Sequence, residues 1–143
     1  MTDEIPEVVI GAEEPYFCFS ATLRIWGAIP DLDAISRRLG LEPTHAHRKG
    51  EKRGPRSPGY RHDHWSYSPP VAEERPLEEH ILALCEAVRQ HVDYLKSLKE
   101  KLNVDVFCGY RSNSQTAGFQ VGHECLELFT QLEVPFGVSV IVM

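Results

Sequence analysis

No stretch of the 143-residue sequence reaches the ~18 to 20 consecutive apolar residues that cross a bilayer. The four cysteines, Cys18, Cys85, Cys108 and Cys125, lie far apart and form no C-x-x-C pair. That spacing offers neither a zinc ribbon nor a redox dithiol, and free buried thiols in a reducing cytoplasm are expected. G-x-x-x-x-G-K-[ST], G-x-G-x-x-G and G-x-S-x-G are all missing. The phosphate loop, the dinucleotide fingerprint and the nucleophile elbow are therefore without their motifs. The first residues are acidic (Asp3, Glu4, Glu7, Glu13, Glu14) rather than basic and then apolar, so a secretory signal is not expected. A net charge of −6 argues against general affinity for nucleic acid or anionic membrane.

What is present is ordinary for one globular domain: 42% hydrophobic and 25% charged residues. Residues 1–15 read as an acidic, flexible arm and 16–143 as a single domain. Residues 16–26 alternate Phe17, Phe19, Ala21, Leu23 and Ile25 against Cys18, Ser20, Thr22 and Arg24, the period of a half-buried strand. Asp31 is placed to cap a short helix with an Ile35 and Leu39 stripe, and Gly40 to end it. Residues 43–64 read as one long, mobile loop, left by a short strand at 64–68. Apolar residues from Leu77 through Leu84, Val88 and Leu95 to Leu102 predict one long helix over 77–102. A strand at 104–111 is expected to form a hairpin with a short strand at 117–121, through the turn signal at 112–115. A helix at 123–132 and a strand at 136–143 complete the chain. The expected class is α+β, a mostly antiparallel sheet with helices on one face, in the order β-α-β-α-β-β-α-β. A short echo, Leu39-Gly40-Leu41-Glu42-Pro43 against Gln131-Leu132-Glu133-Val134-Pro135, suggests two related, ferredoxin-like halves.

Several segments together resemble a bacterial family known as domain of unknown function 4279. They are the strand ATLRIWG, the stretch RRLGLEPTHAHRKGE, the helix LEEHILALCEAV, the stretch VDVFCGYRSNSQTAGFQV, and the last helix and strand. The similarity runs over about residues 16–143. It implies a compact α+β fold and a bacterial origin, and no activity, substrate or catalytic residue.

The unusual segment lies between His45 and Trp65. Arg48, Lys49, Lys52, Arg53, Arg56 and Arg61 stand there against Glu51 and Asp63, so the segment is +4 and the rest of the chain −10. It also holds two H-x-H pairs, His45-Ala46-His47 and His62-Asp63-His64. In extended chain, residues i and i+2 share a side, and two such pairs brought together are a candidate set for zinc. Arg48 and Lys49 beside His47 oppose a dication, and no metal or cofactor is expected. His64-Trp65-Ser66-Tyr67 matches one half of a two-histidine phosphoesterase signature, whose second copy is lacking. His123-Glu124 opens like H-E-x-x-H, but Glu127 stands where the second histidine belongs.

The reading is a non-catalytic cytoplasmic binding or protein-interaction module. Its working surface comprises His45, His47, Arg48, Lys49, Arg53, Arg61, His62, His64 and Trp65, with an adjoining sheet face carrying Tyr16, Arg24, Trp26, Phe107, Arg111 and Ile141. The partners expected are an anionic small molecule, an acidic protein, or a second copy in a homodimer. The alternative is a small hydrolase or transferase acting on a phosphorylated ligand, with Arg48, Lys49, Arg53 and Arg61 on the anion. A pocket gathering those side chains would favour it.

Overall fold

The computed structural model describes residues 15–114 and 116–143. The acidic arm, apart from Pro15, lies outside them. Strand β1 (Phe17–Gly27) forms from the alternation noted above and buries Phe19, Ala21, Leu23 and Ile25 on one face. Helix α1 (Leu32–Leu39) starts where the Asp31 carboxylate accepts the Asp33 N–H at 3.0 Å, and ends at Gly40, which takes the left-handed conformation at φ 69°. Strands β2 (His45–His47) and β3 (Asp63–Tyr67) follow, then α2 (Leu77–Val88) and α3 (Val92–Leu98), joined by a tight turn at Arg89–His91. The long strand β4 (Asn103–Ser112), helix α4 (Glu127–Leu132) after a single turn at His123–Leu126, and strand β5 (Val138–Val142) complete the fold.

The five strands form one sheet in the order β2-β3-β1-β4-β5. Every pairing is antiparallel except β4 with β5. The first four strands with α1 and α2–α3 make one ferredoxin-like β-α-β-β-α-β unit, to which α4 and β5 are added. This is the expected α+β class, with helices against one face. The core between them holds Leu23, Ile25, Trp65, Leu77, Ile81, Leu84, Leu95, Leu128 and Leu132, all fully buried. His80 is also enclosed, 3% exposed, and its Nε2 has no partner among the described residues.

Four expectations are corrected. The helix predicted over 77–102 is two helices that meet at Arg89–His91 and stop at Leu98. A straight helix of that span would be about 39 Å long, longer than the strands it covers, whose longest has 11 residues. The break turns α3 back onto β4 and α4. The hairpin at 104–121 does not form. Phe119 turns its ring onto Phe19 and Tyr110 at 6.4 and 5.8 Å, and β5, richer in branched residues, takes the flank of β4 in parallel. Residues 43–64 are not one long loop. Three of them form β2, Asp63 and His64 open β3, and the stretch between the two strands folds on itself as described below. The echo is no residue-for-residue repeat: the left-handed positions are Gly40 and Glu133 (φ 57°), one place out of step. What the two segments share is a task, since each ends a helix and leads to an edge strand.

Candidate functional site

The helix-free face of the sheet is set by strand parity. Register pairs Arg24 with Ser66 and Asp105, and Trp26 with His64 and Asn103. Across β2 it pairs His45 with Ser66, and His47 with His64. One face therefore collects His45, His47, His64, Arg24, Trp26, Asp105 and Phe107. The Arg24 guanidinium bonds Asp105 through two N–H···O contacts of 2.8 and 2.7 Å and lies over the Phe107 and Trp26 rings at 4.8 and 5.3 Å. Its charge is thus already matched by a carboxylate and held between two aromatic rings. Further along, Arg111, Cys18 and Ile141 border a shallow cavity of about 220 Å³ on the same face.

At the other end the three imidazoles sit within reach of each other. The His45–His47, His47–His64 and His45–His64 ring centroids are 5.0, 5.2 and 5.6 Å apart. His45 Nε2 and His47 Nδ1 share a hydrogen bond of 2.9 Å. The His47 and His64 rings are nearly parallel, at 16°, so their in-plane lone pairs run side by side rather than converge. Among the described residues, no three His, Cys, Asp or Glu side chains are grouped to hold a metal ion.

The basic segment between β2 and β3 folds into a tongue. Gly50 N–H donates to the Tyr60 carbonyl and Tyr60 N–H to the Glu51 carbonyl, both at 2.9 Å. The two arms touch at glycines: a Cβ on Gly59 would lie 2.7 Å from the Gly50 oxygen, and Gly50 itself has φ 91°. Asp63 anchors the base by accepting from Ile29 N–H at 2.9 Å and Lys49 N–H at 2.7 Å. These two donors, with the nearby Arg48 and Lys49 charges, hold its carboxyl below the usual range, the Lys49 bond contributing most. The tongue lays Tyr60 flat on His47, with centroids 3.4 Å apart and planes at 8°.

The proposed site residues are thus divided. His45, His47 and His64 are brought together. Lys49, Arg53, Arg61 and His62 lie exposed along or beside the tongue, with Arg53 over the Tyr60 ring at 5.7 Å. Arg48 is a brace: its Nη1 donates to the Ile29 carbonyl at 2.9 Å. Trp65 is not on this surface at all. It is 0% exposed on the helix side, where Nε1 donates to Ser36 Oγ at 3.0 Å. Its parity is opposite to that of His64, as its place in β3 requires. Sequence reading missed Tyr60 and Asp105. The alternation in β4 placed Asp105 opposite Val104, but its partner Arg24 lies 81 residues away and needed the register. Tyr60 carried no periodic signal.

Partial burial, the neighbouring His47 and His45, and the Arg24 charge push the His64 pKa down to about 4. Burial and His45 also lower that of His47, and burial that of His80. A histidine whose pKa is lower folded than unfolded stays neutral while the unfolded chain takes up its proton. Stability should therefore be full above about pH 6.5 and fall as the pH drops toward 4. Urea titrations across that window should show the slope, and His64→Phe should flatten it in part, His47 and His80 both contributing to the remainder. An unchanged slope would place the His64 proton uptake outside this window.

The arrangement defines a small α+β domain with an aromatic and histidine-bearing sheet face, flanked by a basic tongue. The chain belongs to the family described as domain of unknown function 4279, whose family model matches residues 16–143. No curated protein and no solved structure matches the chain.

Proposed function

We propose that this domain is a non-catalytic binding module that takes an anionic small molecule or an acidic protein segment on the basic tongue and the adjoining sheet face. The stacking of Tyr60 on His47 carries the reading, because it makes the tongue and the face one continuous surface. Lys49 and Arg61 stand exposed along its rim. The alternative, chemistry on a phosphorylated ligand, asks for a pocket that gathers the tongue's cations. The cavity that reaches Arg48 is lined also by Asp31 and Asp33, the wrong sign for a phosphate. Among the described residues no helix is long and apolar enough to cross a membrane. The four free cysteines fit a cytoplasmic setting.

The test uses inorganic phosphate, ATP and a poly-glutamate peptide as probes, read by calorimetry. Binding should weaken between about 0.05 and about 0.5 M salt, because exposed charges are screened beyond a few ångströms at the higher value. Lys49→Ala with Arg61→Ala should weaken it about 5- to 10-fold, while Arg89→Ala, in the turn between α2 and α3 on the helix side of the sheet, should not. Arg48 is avoided because its removal would loosen the tongue. Lys99 is no control, since its Nζ donates to the Leu132 and Glu133 carbonyls at 3.0 and 2.7 Å. Binding indifferent to salt and to both tongue substitutions would move the site elsewhere.

A further inference from the structure

The two edges of the sheet are built differently. Strand β2 is three residues long and is followed at once by Arg48 and Lys49, charges of the kind that guard an edge against another strand. Strand β5 has no such guard. Residues 134–143 carry no charged side chain, and no proline or bulge interrupts β5. Val140, Ile141 and Val142 are 54%, 49% and 54% exposed, so apolar groups face solvent on both sides of the strand. Among the described residues its backbone is bonded on one flank alone, by β4.

We propose that β5 is the dimer interface of this protein, pairing antiparallel with β5 of a second copy. Backbone parity supports this pairing. Met143 N–H donates inward to the Ser112 carbonyl at 2.9 Å. In a parallel strand the N–H and C=O of alternate residues turn to opposite flanks, so Val138, Val140 and Val142 present theirs outward. A two-fold axis at Val140 then sets Val140 against its own counterpart and Val138 against Val142 of the partner subunit, all as hydrogen-bonded pairs. Ser139 falls opposite Ile141 of the partner subunit on the other face. No register shift or unpaired group is needed, and the valines form one apolar ladder across the axis. Charge favours the same occupant. Each copy carries −6, yet no acidic side chain stands on the strand, and Glu133, the nearest before it, lies 3.4 Å from Lys96 Nζ. An edge of this kind needs an uncharged apolar strand opposite it, and a second β5 supplies one. The result is a continuous ten-strand sheet with both tongues at its outer ends, clear of the interface.

Sedimentation equilibrium of the full chain tests this. The wild type should form dimers. Val140→Lys sets two like charges face to face on the axis and should weaken dimerisation about 100-fold. Because Val140 is half-exposed, the variant should keep its circular dichroism spectrum and a cooperative melt, lowered only by the lost association. Val140→Glu should also be monomeric, and an equimolar mixture of the Lys and Glu variants should regain the dimer, which misfolded chains would not do. A wild type that stays monomeric to about millimolar concentration, or a dimer that Val140→Lys leaves intact, overturns the proposal.

Discussion

Replacing Trp65 with alanine should lower the unfolding free energy by about 3 to 5 kcal/mol. The indole is fully buried on the helix side of β3, paired in register with Ile25 and Ala46. Its removal opens a cavity where three elements meet. It also strips the Ser36 hydroxyl of α1 of its donor, an additional cost of about 1 kcal/mol already inside that range. Trp65→Phe should cost less, because much of the ring volume stays and the hydrogen bond alone is lost outright. The measurement is a urea titration with the slope held constant, so that a shift in midpoint reports stability. A side chain reserved for a ligand on the surface would change stability by no more than about 0.5 kcal/mol on truncation. A shift that small would return Trp65 to the binding face.

Trp65 also shows where sequence stops being informative. The alternation of His64-Trp65-Ser66-Tyr67 was readable as a strand, but which parity faces the helices depends on pairing with β1, and pairing is a long-range property. The H-x-H rule set His45 and His47 on one side correctly. That His64 joins them follows from the β2–β3 register, and that Tyr60 covers them follows from a tongue closed by Gly50 and Gly59. Local signals were reliable where a local cause acts. Asp31 and Gly40 cap α1 as their chemistry requires, and β1 buries four of the five residues its period two selects, Phe17 at its start remaining exposed. The hairpin failed for the opposite reason. Serines and asparagine are good turn formers, but a turn does not decide which strand wins an edge, and β5 offered a more continuous apolar partner than residues 117–121. The sheet face of Tyr16, Arg24, Trp26, Phe107, Arg111 and Ile141 was placed together by parity alone; the register of β1, β4 and β5 assembles the last five as one face, and Tyr16 joins it beside Cys18, to whose Sγ its hydroxyl donates.

Leu84→Ala should cost about 2 to 5 kcal/mol and lower the melting temperature by roughly 6 to 20 °C. Leu84 is fully buried on the face of α2 that packs on β1, in line with Leu77, Ile81 and Val88. The matched control is Leu82, two residues away on the same helix and 44% exposed. Both substitutions remove the same atoms and exchange leucine for a slightly better helix former, so propensity cancels. What differs is the cavity. Around Leu84 the strand β1 and the neighbouring turns of α2 are already fixed by other contacts and can collapse only in part. Around Leu82 water fills the space, and the change should stay within about 0.5 kcal/mol. The contrast also tests the break at Arg89–His91. If residues 77–102 ran as one straight helix, its far end could swing and let the sheet close over a gap at Leu84, shrinking the difference. With α3 turned back against β4 and α4, the helix is held at both ends and the full cavity cost should appear. Equal, small losses at both positions would show that α2 does not rest on β1 as described.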